Sequence, residues 1–264
     1  MTLEMLHSPA KSAASLHPPI LFVHGSYSSA QIWQPRFMPY FSENGYGCHA
    51  LSLRGHGQSP GMLSWASLAD YCEDVASAVA TLDETPVLIG HSMGGLIVQH
   101  LIAKLKPRAA ILLATVPPSG LASSAMHMSM TAPEILWQLG LLQSLGPEAV
   151  SADVMARAML SPGSKTDAGH TLLTYLQRES PRVAAELMAP SQPSPVRGAD
   201  KPPILVLGGD ADMFLPVSAF RETATFFDAE LQILQGAPHG LMIDEVWWKK
   251  AADEILAFLK RSKA

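Results

Sequence analysis

Cysteine is almost missing from this chain: 264 residues contain only Cys48 and Cys72. Two thiols make neither a disulfide framework nor a metal site. Cys48 is expected buried in a strand and Cys72 in a helix. Charge is scarce too. Asp, Glu, Lys and Arg make up 16% of the residues, 18 basic against 23 acidic groups giving a net of −5. The longest basic cluster is the tail Lys260-Arg261-Ser262-Lys263, which argues against a nucleic-acid partner. No apolar run reaches the roughly 18 residues a membrane-spanning helix needs, so no stable membrane insertion is expected. The first 19 residues show no basic start followed by a long apolar stretch, so no secretion signal is read and a cytoplasmic protein is expected. The ten histidines include no H-x-x-x-H pair; a metal is therefore not expected, and nothing calls for a cofactor.

What the chain has in abundance is apolar: 48% of its residues, in a length that suits one large α/β domain with an insertion. Short apolar runs alternate with amphipathic segments, the pattern of a mainly parallel central sheet with helices on both faces. The runs at 20–23, 47–53, 87–89, 110–114, 204–207 and 231–234 predict six strands. Ser67 and Asp70 have capping-box spacing, followed by a helical stripe through Leu68, Cys72, Val75, Val79 and Leu82. Another helix is expected around Phe37, Tyr40 and Phe41, with Pro35 and Pro39 placing its start late and Gly45 stopping it. A last helix is expected over 247–260, with Ala251, Ile255, Phe258 and Leu259 facing inward.

Residues 120–198 break the alternation. They offer helix-like pieces at 132–145, 151–160, 168–178 and 181–189, punctuated by Pro162-Gly163 and by a proline-rich stretch at 190–195. The expected organisation is a core of residues 1–119 and 199–264 carrying a helical cap, or lid, of residues 120–198 after the fourth predicted strand. A structureless loop of that length would be implausible.

The chemistry centres on Gly90-His91-Ser92-Met93-Gly94. It follows an apolar strand and precedes a helix-forming run, the setting in which G-x-S-x-G lifts a serine hydroxyl out of a tight turn. A hydroxyl is a poor nucleophile until a base takes its proton. His239, on the loop after the last predicted strand, is the candidate base. A carboxylate must then hold the ring in one tautomer, and either Asp210 or Asp212, after the strand at 204–207, is placed to do so. The order along the chain is Ser, Asp, His.

With these motifs the chain resembles the α/β-hydrolase superfamily over residues 18–260. His24-Gly25 is similar to that superfamily's oxyanion-hole turn, and Arg54-Gly55-His56-Gly57-Gln58-Ser59 to its R-G-x-G-x-S loop. The elbow 90–95 resembles that of the esterase and monoacylglycerol-lipase-like serine hydrolases. The family's acid stands in a G-x-x-D pattern four residues before a proline, matched by Gly209, Asp212 and Pro216, so the resemblance assigns the acid to Asp212. It assigns the oxyanion hole to the backbone N–H groups of Ser26 and Met93. Family members often begin with clearer strands than residues 2–7 provide, so the first sheet edge is expected to be short or irregular.

The resemblance implies cleavage of carboxylic esters, with a small-molecule ester substrate carrying an apolar acyl or alkyl group. Trp33, Leu136, Trp137, Met155 and Met159 are candidate pocket residues, since methionine and leucine make a deformable apolar wall. His24 and His56 are expected to bond loop backbones, and His91 to pack beside the elbow. Serine at 92 argues against epoxide hydrolases and haloalkane dehalogenases, which use aspartate there. Thioesters, lactones, amides and acyl transfer suit the same triad. So does perhydrolysis, because residues 236–240 resemble the histidine loop of cofactor-free haloperoxidases. A ligand receptor on a hydrolase fold is the alternative of another class.

Overall fold

The computed structural model describes residues 2–11, 17–162, 164, 167–198 and 201–264. Gly163, part of the expected break at 162–163, lies outside them, as do 12–16 of the stretch expected to lead into the first confident strand.

Among the described residues the sheet has seven strands: β1 (Met5–Ser8), β2 (Ile20–Val23), β3 (Cys48–Leu51), β4 (Val87–His91), β5 (Ala109–Leu113), β6 (Ile204–Gly209) and β7 (Glu230–Leu234), in the order β1-β3-β2-β4-β5-β6-β7. All neighbours are parallel except β1, which pairs antiparallel with β3 from Met5↔Leu51 to Ser8↔Cys48. Six strands were expected; the seventh is β1, the short edge strand. Its single turn of alternation is too brief to stand out in sequence.

The apolar runs are continuous because both faces of the sheet are covered. Side chains alternate along each strand. Phe22, Ile89, Ile111 and Leu207 pack on one face with α1 (Phe37–Glu43) and α10 (Trp248–Ser262). Leu21, Leu88, Leu112 and Val206 pack on the other. That second face is covered by α2 (Leu68–Val79), α3 (Met93–Leu105) and α9 (Val217–Phe227). α10 buries Ala251, Ile255, Phe258 and Leu259, the four residues its spacing assigns inward. α2 opens on a full capping box, Ser67 accepting from Asp70 N–H while Asp70 accepts from Ser67 N–H. Its buried residues include Leu68, Tyr71, Val75 and Ala78, so the inner face turns toward Tyr71 and leaves Cys72 and Val79 only partly buried. α1 starts ahead of Pro39, earlier than expected. A proline in the first turn forfeits an N–H that has no partner within the helix.

Among the described residues, five α-helices lie between β5 and β6: α4 (Ala122–Thr131), α5 (Pro133–Leu145), α6 (Ala152–Met159), α7 (Ala168–Leu173) and α8 (Pro181–Met188). Four correspond to expected pieces, with α7 ending five residues short of 178. α4 is additional. Its sequence of small, hydroxylated and methionine side chains carries little helical periodicity, which is why the pattern does not reveal it. No helix among the described residues is long and apolar enough to cross a membrane.

The strand order reverses direction at β2. From there the chain passes to β3 on one side and then returns to β4 on the other. The loops leaving the carboxyl ends of β2 and β4 therefore diverge and leave a crevice between them. Ser26 and Ser92 stand on those two loops.

Candidate active site

Ser92 sits between β4 and α3 with φ 53° and ψ −116°, a backbone that costs a non-glycine residue of order 1–3 kcal/mol and persists only where its surroundings impose it. Here they do. Its N–H donates to Leu113 O at 3.0 Å, and its carbonyl accepts from Gly95, Leu96 and Val116 N–H at 3.0, 3.3 and 3.2 Å. A Cβ at Gly90 would run into the Gly94 carbonyl, and one at Gly94 into the carbonyls of Val23 and His24. The glycines of the motif thus allow two strands and a helix to converge on one turn.

His239 follows β7 on the loop 235–240. Its Nδ1 lies 2.6 Å from Asp212 Oδ2, and the Asp212 side chain is fully enclosed. Asp212 Oδ1 accepts from the backbone N–H of Phe214 at 2.8 Å and Leu215 at 2.9 Å. With Nδ1 committed to the carboxylate, Nε2 is the ring nitrogen left for a hydroxyl. The ring is wedged between His91 at 4.7 Å and Phe214 at 4.9 Å, centroid to centroid. Asp210 points elsewhere: its Oδ1 accepts from Gly236 N–H at 2.5 Å and so shapes the turn ahead of His239. Of the two aspartates, only Asp212 meets the imidazole.

The supporting histidines are neutral wedges. Leu53 N–H donates to His24 Nε2 at 3.1 Å, so the ring proton is on Nδ1, which donates to Gly25 O at 2.8 Å. Burial, with the nearby His56 ring adding to it, pulls His24 down to about 3. His91 Nε2 bonds the His239 carbonyl at 3.1 Å. Burial, followed by the His239 ring, holds that imidazole well below its usual range.

Ser26 and Met93 are brought together, the Ser26 hydroxyl lying 3.3 Å from Met93 Sδ. Met93 is the first residue of α3, where backbone N–H groups lack helical partners and the helix's positive end is exposed. Among the described residues neither Ser26 N–H nor Met93 N–H donates to a protein acceptor.

Ser92 and His239 line one cavity of about 350 Å³, together with Gly25, Ser26, Tyr27 and a largely apolar wall. Leu136, Met155 and Met159 lie on that wall. Trp33 and Trp137 do not, contrary to the expectation for both. Trp33 ends a 3-10 turn, Ala30–Trp33, in which successive side chains point in different directions. Ile32 faces the cavity, while Trp33 is fully buried against Phe22 and Phe37. Trp137, one step round α5 from Leu136, is 68% exposed. Tyr27, Phe214, Leu121 and Leu187 also line the cavity. Phe214 carries a readable signal, an apolar residue two after the candidate acid Asp212; Tyr27 carries none. Among the described residues the wall carries no carboxylate, lysine or arginine. Among the described residues no cluster of three or more His, Cys, Asp or Glu could hold a metal ion.

The model of a protein family described as the alpha/beta hydrolase family matches residues 20–253. A monoacylglycerol lipase of Mycolicibacterium smegmatis is 27% identical over 237 residues, covering 83% of this chain and 80% of that protein. A non-heme chloroperoxidase of Streptomyces lividans is 36% identical over 104 residues, 38% of this chain and 37% of its own length. The chain thus spans about a third of the first curated relatives it matches, 30% and 37% of their lengths. In structure it is similar to a candidate non-heme bromoperoxidase of Mycobacterium tuberculosis, with TM-score 0.77, 22% identity and coverage of 100% of this chain and 97% of the other.

Proposed function

Because the chain belongs to the alpha/beta hydrolase family, we propose that it is a serine hydrolase cleaving carboxylic esters with apolar acyl or alkyl groups. Ser92 is the nucleophile, His239 the general base and Asp212 its orienting acid. The observation that carries this reading is the 2.6 Å contact from Asp212 to His239 at a cavity that Ser92 shares. The similarity to a monoacylglycerol lipase supports the ester class.

In the proposed reaction Ser92 Oγ bonds to the ester carbonyl carbon as its proton passes to His239 Nε2. The carbonyl oxygen becomes an oxyanion facing the N–H groups of Ser26 and Met93, and each such donor is worth about 3–4 kcal/mol in the transition state. Asp212 stabilises the imidazolium so formed. Collapse expels the alkoxide, which leaves as alcohol with the His239 proton. Water, deprotonated by the same nitrogen, then attacks the acyl carbon and releases the acid and free Ser92. The apolar wall receives the acyl or alkyl chain, with residues 120–198 serving as a cap over the site.

A fluorophosphonate probe tests the assignment. Stoichiometric phosphonylation at Ser92 and turnover of p-nitrophenyl acetate, butyrate and octanoate are expected, while a folded protein that takes no label at Ser92 sinks the reading. Ser92→Ala should remove about 10⁵-fold or more of kcat. The chloroperoxidase relative favours a second reading, in which hydrogen peroxide replaces water as acceptor and the product is a peracid. Peracid yield from an ester and peroxide, measured against acid yield, decides between acceptors.

A further inference from the structure

Tyr27 follows Ser26 and has φ 61°, a left-handed backbone that an aromatic residue adopts only under constraint. All three of its polar groups are bonded to residues between β5 and β6. Its N–H faces Glu179 Oε2 at 3.4 Å, its carbonyl accepts from Gln177 N–H at 2.8 Å, and its hydroxyl donates to Gln143 Oε1 at 2.6 Å.

Glu179 is a fully enclosed carboxylate outside the triad. A buried acid is unfavourable unless donors surround it, and here they do. Oε1 accepts from Tyr71 OH and Ser180 N–H, both at 2.7 Å, and Oε2 lies 3.5 Å from His56 Nε2. The adjoining strap is fastened to the core on either side. Gln177 Oε1 accepts from Gly57 N–H at 2.8 Å, and Ser180 Oγ donates to Ala66 O at 2.6 Å.

We propose that Glu179 is a positioning residue: with Gln177, it holds Tyr27 in the left-handed conformation and so aims the neighbouring Ser26 N–H at the reacting oxygen. The inference rests on the reading of Ser26 as an oxyanion donor and goes beyond it. It makes the oxyanion loop depend on the segment between β5 and β6.

The test uses the full chain, Glu179→Gln and Tyr71→Phe, the second removing only one donor to the carboxylate. Steady-state hydrolysis of p-nitrophenyl butyrate is measured beside inhibition by two probes of matched chain length. One is a trifluoromethyl ketone, whose carbonyl carbon bonds Ser92 Oγ while the proton moves to His239, leaving an oxyanion. The other is the corresponding secondary alcohol, which fills the cavity and forms none. For Glu179→Gln, kcat should fall about thirtyfold, less than the hundredfold or more lost when an oxyanion donor is deleted outright. Ketone inhibition should weaken by a similar factor, while KM and alcohol inhibition stay within about twofold. Tyr71→Phe should show the same split at about threefold. Unchanged kcat and ketone affinity in folded variants overturn the proposal, as does an equal loss for ketone and alcohol. If Glu179→Gln does not fold, the split in Tyr71→Phe decides alone. A wild-type protein that binds ketone no tighter than alcohol and takes no phosphonyl label at Ser92 overturns the underlying reading instead.

Discussion

At the carboxyl edge of the sheet backbone packs on backbone, whereas across the cavity, between β5 and β6, apolar side chains pack on one another. A Cβ at Gly94 would collide with the carbonyls of Val23 and His24, but one at Gly140 in α5 would meet nothing within 4 Å. The sheet edge thus admits few residues at each position. The helical wall accepts any apolar set of suitable volume. Chemistry that needs sub-ångström placement belongs on the first kind of surface, and accommodation of a substrate chain belongs on the second.

The largest contrast expected within the sheet edge is between its two aspartates. Asp212→Asn removes the acceptor that fixes the His239 tautomer, and kcat should fall about 10⁴-fold, the scale of the same change in a serine protease triad. Asp210→Asn keeps an acceptor for Gly236 N–H and should stay within about threefold of wild type, since that bond is neither buried nor at the reacting atoms. Steady-state kcat on a butyrate ester measures both. Equal losses would show that the imidazole contact is not what fixes the rate.

Gly94→Ala comes next. The methyl must displace the carbonyls at the end of β2, where the loop carrying Ser26 begins, and neither strand can retreat without losing sheet hydrogen bonds. A loss of about 3 kcal/mol or more is expected, at the upper end for overpacking a rigid site. Chemical denaturation measures it, and a variant of wild-type stability would show that the elbow has slack.

These differences explain what could be read from sequence. Strands β2 and β4 to β6 are legible because burial on both faces leaves uninterrupted apolar runs. Ser92 is legible because glycine at 90 and 94 is a steric requirement. His239 follows from its place after β7, whereas the place after β6 offers Asp210 and Asp212 alike, and only the family's acid spacing singles out Asp212. The helical wall is a different matter. Met155 and Met159, four apart on the amphipathic α6, reach the cavity together, but α5 has no clear apolar stripe and so gives no phase: Leu136 reaches the cavity while Trp137, turned by about 100°, does not. α4 has almost no pattern to read. Glu179 is the least legible of all: a lone acid near a helix start reads as solvent-facing, and only the fold brings Tyr27, His56 and Tyr71 around it.

Acid should separate the two regions as well. His24 and His91 are buried at the sheet edge, whereas His127 and His170 on the helical wall are exposed. His24 has its folded value near 3 against 6.5 when free, so the unfolded chain binds the proton that the folded one refuses. Stability is therefore complete above about pH 7 and is lost as pH falls through 6.5 toward 3. By pH 5 the loss from His24 is about 2 kcal/mol, and His91 adds to it in the same direction. Urea midpoints at pH 8, 7, 6 and 5 measure the slope, and a flat profile would mean that these rings take up protons without unfolding the elbow.

The smallest effect expected is a gain. Gly140 lies inside α5 with open space where a side chain would go and faces the cavity. Alanine there lowers the entropy of the unfolded chain and restores helix propensity, worth about 0.5–1 kcal/mol. That is a rise of about 1–4 °C in Tm for a domain of this size. The added methyl also narrows the wall, so KM for an octanoate ester should rise while that for acetate stays put. A lower Tm, or an equal change in KM for both esters, would mean that the helical wall is packed as tightly as the sheet edge it faces.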